Sequence, residues 1–223
     1  MGEEHVCTDP SVLRAVERTT FRTTQRVPGV IYPGIREEVQ ECVRIANRYR
    51  VPVYPVSTGK NWGYGSRVPV TDGCVIMELK RLNRIVDFSE ELAYIMVESG
   101  VTIQQVVDFL DVRGARVALG VGRGPPDDSL IANTLERGIA GSPTGERCAS
   151  ICALEVVLPT GKIVHTAFSC FENAKGRRAG SSLLNGTVRR RSIHAGESKE
   201  CRRLPTHLST KGSQRPVIRL HFL

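Results

Sequence analysis

A glycine-rich loop is the part of this 223-residue sequence whose residue types point most clearly to chemistry. The stretch PVSTGKNWGYGS, residues 55–66, holds three glycines and a lysine, and it follows an apolar run that predicts a strand. Glycine lets backbone amides approach a ligand closely, and successive amides that point inward bind phosphate. Lys60 adds a positive charge, and Ser57 and Thr58 add hydroxyl donors. A phosphate cradle is one interpretation of the loop, and a plain glycine-rich turn is the other.

Two common nucleotide motifs do not describe this loop. The pair Gly59-Lys60 lacks the glycine five residues earlier that a Walker loop requires, and Gly63-x-Gly65-x-x lacks the third glycine of a dinucleotide-binding turn. A second glycine cluster, residues 120–124, invites the same phosphate interpretation. Two prolines follow it at once, so we interpret it as a flexible connection.

Regular elements surround the glycine loop. Residues 36–50 predict a helix with one buried face, formed by Val39, Cys42, Val43, Ala46 and Tyr49. Apolar runs predict strands at 51–56 and 74–79, a strand pair at 84–88 and 93–98, and a hairpin made by 151–158 and 162–166. Thr102 and Gln105 have the spacing of a capping box, with Val101 and Val106 as its hydrophobic staple, and Gly114 ends that helix. Mixed helices and strands predict an α+β fold.

The remaining composition argues against several classes of protein. Seven cysteines are irregularly spaced without a CxxC pair, which predicts reduced structural thiols in a cytoplasmic protein and no metal site. No apolar run approaches the ~20 residues of a membrane helix, so no membrane partner is expected. The N-terminus lacks the pattern of a signal peptide. His165 has no acidic or cysteine neighbour along the chain, so we interpret it as a surface or packing histidine.

The basic excess of the sequence lies at its C-terminal end. Residues 167–223 contain twelve Lys and Arg against three Asp and Glu, whereas the preceding residues are almost balanced. The segment also lacks the periodicity found upstream. A basic tail can bind nucleic acid, but no stacking aromatic pattern or recognised motif accompanies it. We therefore expect a poorly ordered tail that binds no nucleic acid.

Four stretches occur in the order found in the vanillyl-alcohol oxidase and p-cresol methylhydroxylase family of flavoproteins. They are YPVSTGKNWGYGS, VESGVT, NTLERGIAGSPTGER and ALEVVLPTGKIV. Residues 27–166 resemble the FAD-binding domain of that family. The resemblance implies a two-subdomain fold of the p-cresol methylhydroxylase (PCMH) type, with residues 27–80 in the first subdomain and 81–166 in an incomplete second one. Residues 1–26 would be an N-terminal extension.

The resemblance also implies FAD as the cofactor and assigns residues to its site. The loop amides would hold the diphosphate, through Ser57, Thr58, Gly59, Lys60, Asn61, Trp62, Gly63, Tyr64 and Gly65. Asn133, Glu136 and Arg137 would lie along the ribityl and diphosphate groups. Gly145 would allow close approach near the cofactor, and the backbone of Val157 would meet the adenine. Relatives usually carry YTPYGD where this chain has GSPTGE, residues 141–146, so part of the pocket is expected to differ.

The activity implied by the resemblance is an FAD-dependent oxidoreductase reaction. A relative takes hydride from a phenolic or other alcohol carbon onto flavin and passes electrons to oxygen or another acceptor. The family's substrate-binding cap follows the flavin domain, and residues after 166 do not resemble it. We therefore assign no catalytic residue and expect this chain alone not to be catalytically competent. The alternatives are a reductase domain similar to UDP-N-acetylmuramate dehydrogenase and a non-catalytic module with a nucleic-acid-binding tail.

Overall fold

Two β-sheets with flanking helices form the described part of the chain in a computed structural model, which covers residues 1–60, 67–120, 125–136, 147–166 and 219–222. The first sheet has the strand order β1-β2-β4-β3. Its strands are β1 (Val6–Cys7), β2 (Val30–Ile31), β3 (Val53–Val56) and β4 (Val75–Glu78). β1 runs antiparallel to β2, while β2 and β3 both run parallel to β4. The carboxyl ends of β3 and β4 therefore lie side by side, and the glycine loop leaves β3 at this edge.

Residues before position 27 pack against the first sheet. Helix α1 (Pro10–Val16) begins at Asp9, whose side chain accepts hydrogen bonds from the amides of Ser11 and Val12. Its last residue, Val16, is buried in a cluster with Val27, Val30 and Ile76. Burial of such side chains supplies the main favourable free energy for packing α1 on the sheet.

Helix α2 (Arg36–Tyr49) forms where the apolar spacing predicted it, but its face is only partly covered. None of its residues is fully buried, and Tyr49, which we predicted to face inward, is 67% exposed. The prediction is wrong for Tyr49 because this residue lies in the last turn, outside the contact with the rest of the fold. Val39, Val43 and Ala46 instead line a cavity described below.

The second sheet has the strand order β5-β6-β9-β7-β8. Its strands are β5 (Ile85–Ser89), β6 (Tyr94–Val97), β7 (Ile151–Val157), β8 (Ile163–His165) and β9 (Arg219–Phe222). The pairs β5–β6 and β7–β8 are antiparallel hairpins, as the sequence predicted. Helices α3 (Ile103–Val112) and α4 (Leu130–Leu135) accompany this sheet. The predicted capping box at α3 is confirmed, since both hydrogen bonds between Thr102 and Gln105 are formed.

Strand β9 corrects one expectation from the sequence. Residues 219–222 belong to the segment that we expected to be a poorly ordered tail, yet they run parallel to both β6 and β7 and join them. Backbone pairing on both sides explains this, because β6 and β7 would otherwise each leave a row of amide and carbonyl groups without strand partners. The rest of segment 167–223 lies outside the described residues.

Polar contacts connect α2 with the β7–β8 hairpin. The Arg36 guanidinium lies 3.1 Å from the Glu155 carboxylate, and the Gln40 amide donates to the Gly161 carbonyl at 2.6 Å. Glu155 also lies opposite His165 in the β7–β8 register, with 3.6 Å between Oε2 and Nδ1. His165 has no acidic neighbour along the chain, but strand pairing gives it one from ten positions away. Across the described ranges, no helix has the length and apolar character needed to cross a membrane.

Candidate functional site

The start of the glycine loop is held between the two sheets. The hydroxyl of Ser57 donates to the carbonyl of Ser99, and the hydroxyl of Thr58 donates to the carbonyl of Asp127 at 3.2 Å. The Lys60 ammonium forms an ion pair with the Asp127 carboxylate, with 3.3 Å between Nζ and Oδ2. Three polar contacts within four residues therefore fix the loop root against residues that follow β6 and precede α4.

The chain turn at Gly59 needs glycine for two reasons. Its φ of +67° lies in the left-handed region that disfavours other residues. A Cβ at this position would overlap with Cδ of Arg67 and lie 2.7 Å from Cγ. The backbone of Gly59 is thus packed directly against the side chain of the residue that follows the loop, which a larger residue would prevent.

A buried carboxylate lies at the end of β4, beside the loop. The Glu78 side chain is 3% exposed, and each of its oxygens receives one cation: Arg67 Nη1 at 3.1 Å and Lys80 Nζ at 3.0 Å. The Lys80 ammonium also lies 4.4 Å from the centre of the Tyr32 ring. Burial, and then the negative charge of Glu78, raise the pKa of Tyr32. Pairing with two cations offsets the cost of burying the carboxylate.

An apolar cavity of about 560 Å³ opens between the two sheets next to the loop root. Its wall is formed by α2, β3, the end of β4, α4 and the end of β7. It reaches Ser99, whose carbonyl holds Ser57, and it is lined by Val157. Volumes of about 300–1,000 Å³ with apolar walls and a few polar groups at one end are typical of cofactor pockets. The size and apolar walls of this cleft suit a flat ring system.

The residues assigned to the site from the sequence have different surroundings. Ser57, Thr58, Gly59 and Lys60 lie together at the loop root, and Val157 lines the cavity. Asn133 is half-buried on α4 and Glu136 is the exposed residue that ends it. Ile131 and Leu135 of the same helix line the cavity, whereas Asn133 and Glu136 are not among the described lining residues. Outside the described residues lie Asn61, Trp62, Gly63, Tyr64, Gly65, Arg137, Gly145 and residues 121–124 of the second glycine cluster.

Sequence reasoning missed several residues that build the site. Arg67, Glu78 and Asp127 gave no signal, because each has its partner far along the chain or across the cleft. Gly100 could have been found, since it lies in VESGVT. A Cβ there would overlap with the Leu79 carbonyl, and the Gly100 amide donates to the Leu82 carbonyl at 2.6 Å. Close backbone packing of this kind is what a glycine in an ordered turn indicates.

Comparison with known proteins agrees with this geometry. The chain is 51% identical over 175 residues to 1'-carboxy-chondrochloren decarboxylase of Chondromyces crocatus, covering 78% of this chain and 32% of that protein. It is 38% identical over 130 residues to the flavoprotein subunit of 4-cresol dehydrogenase (hydroxylating) of Pseudomonas putida, covering 58% and 25%. The chain thus spans about a third or less of the length of these curated relatives.

The solved structure of p-cresol methylhydroxylase with substrate bound superimposes with a TM-score of 0.75 at 29% identity, covering 79% of this chain and 35% of that one. The PCMH-type fold expected from the sequence is therefore confirmed. A family model described as "FAD binding domain" matches residues 27–167. Together, the cleft beside the glycine loop, the shared fold and this match show that the chain belongs to the FAD-binding domain family of flavoproteins, with FAD as its cofactor.

Proposed function

We propose that this chain is the FAD-binding portion of an oxidoreductase acting on phenolic or other alcohols. The observation that carries the proposal is the glycine-loop root lying at one end of an apolar cleft between two sheets. The relative named for 4-cresol supports a phenolic substrate. Bound FAD would supply the acceptor for the two electrons and proton removed from the substrate.

In this proposal the residues of the chain bind and orient the cofactor. The loop at 57–65 holds the diphosphate through backbone amides, and the apolar wall near Val157 encloses the adenine. Ser57 and Thr58 fix the loop root by donating to the carbonyls of Ser99 and Asp127, which preorganises the described start of the loop. Preorganisation lowers the conformational entropy that binding would otherwise cost. Asn133, Glu136, Arg137 and Gly145 remain predicted contacts of the cofactor.

Titration of the purified protein with FAD and with riboflavin tests the cofactor assignment. Riboflavin lacks the diphosphate and the adenosine, so FAD is expected to bind more tightly by at least about tenfold. Quenching of flavin fluorescence reports both affinities. Equal affinities for the two ligands would overturn the assignment of residues 57–65 to the diphosphate.

A second candidate reaction is oxidative decarboxylation of a carboxylated substrate. The 51% identity to a decarboxylase favours it, because that identity exceeds the 38% identity to the 4-cresol enzyme. Both reactions reduce flavin, but only decarboxylation releases carbon dioxide. Measuring carbon dioxide during anaerobic flavin reduction by a 4-alkylphenol and by a carboxylated phenol separates them, in a protein that joins this domain to a substrate-binding cap of the kind that the family carries.

We further propose that neither substrate reduces the flavin bound to this chain alone. Orientation of a substrate can supply about 7–11 kcal/mol of barrier lowering, and no described residue is assigned to that task. Bleaching of flavin absorbance during anaerobic stopped-flow mixing would contradict this proposal. It would leave the cofactor assignment intact, because that assignment rests on the titration.

A further inference from the structure

The contact between Arg67 and Gly59 closes the base of the glycine loop. These two residues flank residues 60–66, and the Arg67 side chain lies along the Gly59 backbone, where a Cβ would be only 3.0 Å from Nε and closer still to Cγ and Cδ. Gly59 therefore takes its left-handed conformation against an arginine stem. The two ends of the loop are therefore in contact through the Arg67 side chain.

Glu78 connects that side chain to the sheet. It is the last residue of β4 and lies directly opposite Val56, the last residue of β3, in the parallel register. The Leu79 amide donates to the Val56 carbonyl at 2.8 Å, which ties the outgoing end of the loop to β4. The Arg67–Glu78 ion pair ties the returning end to the same strand. Both ends of the loop are thus fixed to two adjacent residues, Glu78 at the end of β4 and Leu79 directly after it.

We propose that Arg67 is a positioning residue for the diphosphate loop, held in place by the buried carboxylate of Glu78. Nothing in the sequence patterns or in the relatives' names assigns it this role. It acts through Gly59: its stem sets the turn there, and its guanidinium fixes that stem to Glu78 at the end of β4. The proposal rests on the proposed role of residues 57–65 in holding the diphosphate.

Lys80 provides a matched control for the charge of Arg67. Both cations contact Glu78 at nearly the same distance, 3.0 Å for Lys80 and 3.1 Å for Arg67. The three described atoms nearest to a Cβ at Gly59 all belong to Arg67. A purely structural role in neutralising Glu78 would therefore be shared by the two residues, whereas a role in shaping the loop belongs to Arg67 alone.

The experiment compares affinities for FAD and riboflavin in the full chain and four variants. Arg67→Met keeps a stem and removes the charge, Arg67→Lys keeps both, Glu78→Gln removes the anchor, and Lys80→Met is the control. Residues that orient metal ligands from behind change metal affinity by about ten- to hundredfold, and we take that range as the guide for a residue that orients a phosphate-binding loop. We expect R67M and E78Q to lower FAD affinity by about that factor and leave riboflavin affinity unchanged. R67K should retain most of the preference for FAD, and K80M should keep it.

The outcomes distinguish the role of Arg67 from the diphosphate assignment of residues 57–65 on which it rests. Wild-type protein without preference for FAD would overturn the diphosphate assignment, and this inference with it. A wild-type preference that R67M and E78Q both preserve would overturn only the positioning role of Arg67. Equal loss of preference in K80M would show that neutralising Glu78 is what matters, and this also refutes the role. If R67M does not fold, E78Q decides, because it leaves the arginine stem in place.

Discussion

Replacing Gly59 with alanine tests whether the geometry of the loop root sets FAD affinity. A left-handed conformation costs a non-glycine residue about 1–2 kcal/mol. The new Cβ would also overlap with the Arg67 stem, and moving that stem away weakens a charged hydrogen bond worth about 1.5–3 kcal/mol. The combined cost is about 2–4 kcal/mol, since the Arg67 side chain can relax partly. At 1.4 kcal/mol per tenfold change, this cost corresponds to a loss of FAD affinity of about 30- to 800-fold if all of it opposes binding.

A second glycine serves as a control to show how much of this cost lowers stability and how much lowers FAD affinity. Gly73 has a φ of +72°, precedes β4 at the opposite end of the strand from Glu78, and has no atom within 4 Å of a Cβ position. Gly73→Ala therefore carries the backbone strain without the overlap. We expect both variants to lose stability in urea unfolding, while only Gly59→Ala loses FAD affinity, by tenfold or more in a fluorescence titration. Equal FAD affinities in the two variants would refute the reasoning.

Three further predictions concern elements that support the site. The Tyr94 hydroxyl donates to Asp87 at 2.7 Å, and burial followed by this bond raises the pKa of Tyr94. The hydrogen bond contributes about 1 kcal/mol to stability. This contribution is fully present below the ordinary tyrosine pKa near 10 and is lost as the pH rises through the pKa of Tyr94 in the folded protein. The stability difference between wild type and Tyr94→Phe in urea unfolding should therefore shrink only at alkaline pH. Thr102→Ala removes one half of the capping box and should cost about 1 kcal/mol in urea unfolding, whereas Thr102→Ser should cost less, and equal losses would argue against the cap. Deleting residues 219–223 should lower the melting temperature because β6 and β7 both lose a paired strand; an unchanged melting temperature would show that β9 adds nothing to the sheet.

Elements defined by local spacing were predictable from the sequence. The capping box at Thr102 depends on two residues three positions apart, and the two hairpins depend on apolar runs joined by short turns. Helix α2 was found for the same reason, although the exposure of Tyr49 was not. Periodicity reports which side of a helix is apolar, but not how far the neighbouring layer extends along it.

Contacts between distant residues were not predictable by the same reasoning. The loop was interpreted as a phosphate cradle from its glycines and the family resemblance, whereas its contacts with Arg67 and Glu78 depend on the register of β3 against β4. The Glu155–His165 contact likewise appears only once β7 and β8 are paired. Strand β9 gave no periodic signal in a basic segment, and its place follows from the edges that β6 and β7 present to it.

The position of β9 has a consequence for how the protein is made. The strands of the first sheet all come from residues 6–78, so this sheet can close while the ribosome is still translating the remainder. The second sheet cannot be complete until residues 219–222 have emerged, because β9 lies between β6 and β7. Pairings of such high contact order form slowly. Until β9 pairs, strands β6 and β7 of the two hairpins keep unpaired edges. Nascent chains are therefore expected to need chaperone protection at this sheet and not at the first.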